Sequence, residues 1–106
     1  MCLLFAHSSL AVQYCAGKVL NVLMYSNGTV MIVGSWRGDF TVLCSIQGDW
    51  GSIPSETCFA WYGAALKARA DNSNVTIYYP SDQGYTCANM PTYGGALVPG
   101  YFMVNQ

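Results

Sequence analysis

The cysteines constrain the fold of this chain more than any other feature. They are Cys2, Cys15, Cys44, Cys58 and Cys87. Cys44 and Cys58 lie on either side of a loop that contains Trp50, and they lack the close Cys or His spacing of a zinc site. A reactive thiol would need a base, and the only histidine, His7, lies in the amino-terminal segment. A disulfide is the use that remains for this pair.

The amino-terminal segment MCLLFAHSSLA indicates export. It is apolar and then small, and its Ser9–Ala11 ending has the small residues that a signal peptidase requires. Because the segment is short and has no basic start, we interpret residues 1–11 as the remnant of a secretory signal; an ordinary apolar first element is the alternative. Cleavage after Ala11 would remove Cys2 and leave an even number of cysteines, as in exported disulfide-bonded domains. We therefore expect a secreted or periplasmic protein.

Four remaining cysteines allow three connectivities. We predict a Cys44–Cys58 disulfide, which would fasten the end of a strand to the first turn of a helix, and a Cys15–Cys87 disulfide from the remaining pair. Closing the shorter loop should stabilise the fold by about 3 kcal/mol in the chain-entropy model. The sequence predicts no metal site and no cofactor.

Residues 12–106 are predicted to form one small domain. Asn27-Gly28 lies between two β-rich segments and is typical of a hairpin turn, because both positions tolerate positive φ. Strands are predicted near 17–25, 29–36, 39–46, 75–79 and 101–105, with a helix near 53–70 that starts from Ser52 as its N-cap. The order β-β-β-α-β-β predicts a mainly β fold with one helix, an OB-like five-stranded barrel of the oligonucleotide/oligosaccharide-binding type. An open α+β sheet covered by one helix is the alternative.

Two side-chain patterns predict which residues face the core. In the third strand, Phe40, Val42 and Cys44 alternate with Thr41 and Leu43 and so belong to one face. In the helix, one stripe at helical spacing contains Cys58, Phe59, Tyr62, Leu66 and Ala70. Lys67 and Asp71 mark the solvent side.

The composition excludes two classes of partner and favours another. Only 8% of the residues are charged and the net charge is −1, with the four cations Lys18, Arg37, Lys67 and Arg69 scattered along the chain. Nucleic acid is therefore not an expected partner, since its binding needs a basic patch. No apolar run reaches the roughly 18 residues of a membrane span. Apolar residues on both faces of the first strands need a cover, which predicts a homo-oligomer, with the helix or the amino-terminal segment as intramolecular alternatives.

Three function classes fit these residues unequally. A small hydrolase is disfavoured because no nucleophile has a base, and Asp39 and Asp49 are better explained as turn residues; no catalytic residue is predicted. A non-enzymatic binding module for a glycan or a protein is favoured, since aromatic faces in loops bind such ligands. Its candidate binding residues are Trp36, Arg37, Trp50, Tyr78, Tyr85, Tyr93 and Tyr101. A structural protein that self-associates without a ligand is the third class.

The segments CFAWYGAALKARADNSNVTIYY and CANMPTYGGALVPGYFMV, with the four cysteines, resemble a family of small secreted bacterial proteins of unknown role. The element order is more distantly similar to that of the B subunits of subtilase-type and pertussis-type AB5 toxins. The toxin resemblance implies an OB barrel, a ring-shaped homopentamer and glycan binding. Cys15-Ala16-Gly17 stands where the toxin subunits have a sugar-binding serine, so no binding residue is carried over.

Overall fold

The structure, a computed structural model, describes residues 11–105 and is mainly β with one helix, as predicted. Its elements are β1 (Gln13–Met24), β2 (Thr29–Gly34), β3 (Phe40–Ser45), α1 (Ser55–Asp71), β4 (Asn74–Tyr79) and β5 (Tyr101–Val104). The strands form one antiparallel sheet in the order β3-β2-β1-β4-β5. The predicted signal remnant, residues 1–11, lies outside the described residues except for Ala11.

The prediction of a closed OB-like barrel is wrong. The strands lie across the sheet in the order β3-β2-β1-β4-β5, which differs from their order along the chain. β3 and β5 are the two ends of an open sheet. The edge of β3 is covered by the long segment 80–100, which we call the strap: the Tyr93 N–H donates to the Phe40 carbonyl at 2.9 Å. Because the strap takes the place that β5 would need for closure, the fold is the open α+β alternative.

The hairpin and the helix begin and end where local chemistry permits. Gly28 has φ +89° and its N–H donates to the Tyr25 carbonyl, as the Asn-Gly signal predicted. The helix starts at Ser55 after Pro54, whose extended backbone makes it the N-cap, so the expected Ser52 cap is wrong. Asn72 ends the helix in the left-handed conformation, with its N–H directed to the last helical carbonyls.

Small side chains, and not the predicted stripe, bring the helix onto the sheet. Its buried residues are Cys58, Ala65 and Ala68, whereas Phe59 is 62% exposed and Leu66 is also exposed. The alanines of this helix lie on several of its sides, so the spacing of hydrophobic residues alone does not define one buried side. The predicted stripe is therefore wrong for Phe59, Leu66 and Ala70.

A β-bulge in β3 turns Cys44 towards the helix. Val30 lies opposite Cys44 but Met31 lies opposite Val42, so Leu43 is the extra residue. Cys44 consequently joins Leu43 in the core on the helix side, while Val42 faces the other way. The predicted common face for Val42 and Cys44 is wrong because a bulge shifts the alternation by one residue.

Two cores lie on the two sides of the sheet. The larger one, on the helix side, includes Cys15, Ile32 and Ile77. The smaller one, on the strap side of β2 and β3, contains Met31, Val42 and Ala96, and Ala96 belongs to the strap. The strap thus supplies the cover that was expected from a second copy of the chain at this face. No helix within residues 11–105 is long and apolar enough to cross a membrane.

Candidate binding face

Three tyrosines lie side by side on neighbouring strands. Tyr14 of β1 is opposite Tyr78 of β4, and Tyr78 is opposite Tyr101 of β5. The ring centroids are 5.3 Å and 5.1 Å apart, and the ring planes differ by 32° and 26°. Because residues directly opposite in a sheet share one face, we call this set the tyrosine row.

Strand alternation turns the tyrosine row towards solvent. The neighbours Cys15, Ile77 and Tyr79 are fully buried on the helix side, so Tyr14 and Tyr78 project from the opposite side. Tyr14 is 56% exposed and Tyr101 39% exposed, with Tyr78 half-buried between them. The strap covers the strand face at β2 and β3, but the row at the other end of the sheet stays accessible.

The residues next to the tyrosine row in register are uncharged. The next residues in register are Ala16, Thr76 and Met103, and the exposed Val12 precedes Tyr14 by two positions, just before β1. Together these seven residues form the tyrosine face: Val12, Tyr14, Ala16, Thr76, Tyr78, Tyr101 and Met103. The next cation along the strand, Lys18, donates its Nζ to the Asn72 carbonyl at 2.5 Å. The face thus offers aromatic rings and hydroxyls.

Gly100 holds the central ring of the row in place. A Cβ at this position would lie 2.6 Å from Cδ2 of Tyr78, too close for the ring to remain where it is. The Gly100 N–H also donates to the Tyr78 carbonyl at 2.6 Å. The end of the strap therefore positions Tyr78.

Trp36 and Arg37, two predicted binding residues, contact the protein itself. The Trp36 ring lies so close over Gly34 that a Cβ there would be 2.3 Å from its Cζ2, and its Nε1 is buried with no partner among the described residues. The Arg37 Nε donates to the Met90 carbonyl in the strap at 3.1 Å. Both side chains are half-buried and fasten the β2–β3 turn.

The other predicted residues are distributed over the molecule. Trp50 is half-buried and packs against both cores, Tyr85 is exposed in the strap, and Tyr93 is exposed beside the edge of β3. The Tyr93 ring lies 6.2 Å from that of Phe40, and the negative charge of Asp39 raises the pKa of its phenol. Of the seven predicted residues, Tyr78 and Tyr101 belong to the tyrosine row. Sequence reasoning missed Tyr14, whose position beside Cys15 was the available signal.

The disulfides are present in the pairs expected from the sequence. Cys44–Cys58 joins β3 to the first turn of α1, and Cys15–Cys87 joins β1 to the strap, with Cα–Cα distances of 5.4 Å and 5.6 Å. No group of three or more His, Cys, Asp or Glu side chains able to hold a metal ion occurs in residues 11–105.

A shallow cleft lies where the strap meets the disulfide loop. It has a volume of about 300 Å³. The lining residues are Gly51, Ser52, Pro80, Ser81, Gln83, Val98 and Pro99. Its polar groups are serines and an amide, without a nucleophile–base pair, so it carries no assignment of an activity.

Comparison of the chain with protein-family models, curated proteins and solved structures found no match. Nothing in these comparisons links the chain to AB5 toxin B subunits. The tyrosine face and the open sheet are the features of the molecule from which a function can be inferred.

Proposed function

We propose that this chain is a non-enzymatic, exported binding module that contacts its ligand through the tyrosine face. The observation that carries the proposal is the exposed tyrosine row on the open side of the sheet. With Met103 43% exposed beside it, the exposed apolar area amounts to roughly 300 Å² at the usual size of such side chains. Patches of this size on small proteins often mark a binding site.

The chemistry of the tyrosine face favours a glycan or an uncharged protein surface as the ligand. Sugar rings and apolar side chains can lie against aromatic rings, and the phenol hydroxyls can donate and accept hydrogen bonds at the rim. A nucleic acid would also need cations along its phosphates, and Lys18 is already bound to a carbonyl. The face therefore selects ligands by shape and hydrogen bonding.

Export agrees with the covalent structure. Disulfides persist in oxidising compartments, and this small chain has two of them among its described residues. A secreted or periplasmic location is therefore part of the proposal.

Exported, oxidised protein should be screened on a glycan array and by affinity capture of host or bacterial surface proteins. Tyr14→Ala and Tyr101→Ala should each weaken the binding found by about tenfold or more, the effect of losing an aromatic hot spot. Gly100→Ala should weaken it as well, because it displaces the Tyr78 ring. Phe59→Ala, which removes an exposed ring from the helix, is the matched control and should bind normally. Equal binding by all variants would refute the assignment of the face.

Two other functions have less support. Self-association without any ligand is favoured by one observation: among residues 11–105, no strand lies on the outer side of β5. Hydrolase activity has none: Asp39 Oδ1 accepts the Phe40 N–H at 2.8 Å, and Asp49 is exposed in the disulfide loop. The absence of enzymatic activity stays a prediction that the same exported protein can be used to test.

A further inference from the structure

The two edges of the sheet differ in how they are protected. At β3, the strap covers the edge through the Tyr93 N–H and a bridge between Tyr93 and Thr41. At β5, the part of the chain that the structure describes provides a neighbour, β4, on one side only. β5 is therefore the edge at which another strand can add.

The backbone groups that face outward at β5 can be identified from its pairing with β4. The Asn105 N–H donates to the Asn74 carbonyl at 2.8 Å. These two residues are opposite each other in the register that pairs Val75 with Val104. Since antiparallel pairs alternate in their hydrogen bonding, the N–H and C=O groups of Phe102 and Val104 point away from β4.

Apart from its length of only four residues, this edge has none of the usual protections against pairing. The residues from Tyr101 to Val104 contain no charge, proline or glycine, and the pairing with β4 shows no bulge. Tyr101, Met103 and Val104 are exposed apolar side chains. The net charge of the whole chain is −1, so two copies repel each other only weakly.

We propose that β5 pairs in antiparallel orientation with β5 of a second copy, about a two-fold axis that passes at Met103. This register uses both outward-facing residues, because Phe102 of each copy exchanges hydrogen bonds with Val104 of the other. Met103 then lies directly opposite Met103 of the second copy, in the closer, non-hydrogen-bonded type of pair. An interface of this kind is self-complementary and closes at two copies.

The pairing would continue the tyrosine face across the dimer. Side chains directly opposite in a sheet share a face, so both tyrosine rows would lie on the same side of one extended sheet. This consequence rests on the proposed function of the face, whereas the pairing itself does not. The exposed side chains of β5 amount to roughly 250 Å², well below the usual ~800 Å² per partner, so the dimer should be reversible and depend on concentration.

The opposed methionines allow a test by charge complementation. Oxidised protein should sediment as a monomer–dimer mixture whose dimer fraction rises with concentration. Met103→Lys alone and Met103→Glu alone should each be monomeric, because like charges would then be opposed. An equimolar mixture of the two variants should form dimers again, and this recovery also shows that both variants are folded. Leu20→Lys, an equal change in charge at an exposed residue of β1, should dimerise as the unchanged protein does.

Three results would overturn the inference: a monomer at every concentration, a dimer that persists in both Met103 variants, or a mixture that stays monomeric. Capture of an extended peptide from another protein by a monomeric chain would likewise assign the edge to a different partner. If the dimer fails while Tyr14→Ala still weakens ligand binding, this inference falls and the proposed function stands. If the protein dimerises but no ligand binding depends on the tyrosines, this inference stands and the proposed function falls.

Discussion

The buried phenol of Tyr79 makes the stability of this fold sensitive to alkaline pH. Tyr79 is fully buried at the end of β4, and this burial raises its pKa to about 12, although the nearby Thr41 hydroxyl lowers it slightly. The two hydroxyls do not meet the distance and angle of a hydrogen bond. We therefore treat their contact as weak and burial as the controlling effect.

The size of the effect comes from proton linkage. In the unfolded chain the Tyr79 phenol ionises near pH 10.0, but in the folded chain it stays protonated until about pH 12. Above the unfolded value the unfolded chain holds fewer protons, so the free energy of unfolding falls as the pH rises. The loss should be about 1.4 kcal/mol at pH 11, and about 2.7 kcal/mol once the folded phenol ionises.

Tyr79→Phe should remove this part of the alkaline decline. Urea unfolding of both proteins, followed by tryptophan fluorescence, gives the free energy of unfolding at neutral pH and near pH 11. Between these two pH values the free energy of unfolding should fall less for the variant than for the unchanged protein. At neutral pH the variant should differ by less than about 1 kcal/mol, because the lost hydroxyl has no hydrogen-bond partner among the described residues.

Two controls make the comparison specific. In protein that retains residues 1–11, Cys2→Ser in both variants prevents disulfide exchange by the fifth cysteine in alkali. Tyr85→Phe removes an exposed phenol instead of a buried one and should leave the decline as it was. An identical alkaline decline with and without the Tyr79 hydroxyl would refute the reasoning.

Two further predictions concern packing and the disulfides. Gly34→Ala should lower the free energy of unfolding by about 1–3 kcal/mol because its Cβ would displace the Trp36 ring. Gly63→Ala, at an exposed helix position with no atom within 4 Å of the added Cβ, should instead raise the free energy of unfolding by about 0.5–1 kcal/mol. Equal effects of the two substitutions in urea unfolding would contradict this prediction. Limited reduction followed by alkylation and mass spectrometry should modify Cys15 and Cys87 before Cys44 and Cys58, because Cys87 is only partly buried while the second pair is fully buried; the reverse order would contradict it.

The local elements were predictable from the sequence where short-range chemistry decides them. The Asn27-Gly28 turn and the alternation of Val75, Ile77 and Tyr79 are local signals, and the structure has both features. Closure of the sheet depends on which segment covers the β3 edge, and the sequence of the strap contains no strand pattern that reveals it. The bulge at Leu43 likewise depends on pairing with β2, so the face of Cys44 could not be assigned from alternation alone.

The candidate site was only partly predictable. Loop aromatics were expected to bind, but Trp36 and Arg37 contact the protein itself, which depends on the close approach of Gly34 and of the strap. Tyr14 and Tyr101 become neighbours of Tyr78 only through the pairing of β1 and β5 with β4. Such long-range pairing is what a single sequence leaves open, whereas the outward direction of Tyr14 is a consequence of its position beside the buried Cys15.

The central claim is that the tyrosine face is open in the isolated chain and becomes covered when the protein binds its ligand. Hydroxyl-radical footprinting with mass spectrometry can measure this directly on the full oxidised chain, first alone and then with a ligand found in the screen. We expect strong labelling of Tyr14, Tyr101 and Met103 in the free protein and protection of these residues in the ligand-bound state, with Phe59 labelled equally in both. Weak labelling of the face in the free protein, or labelling that never changes, would contradict the account.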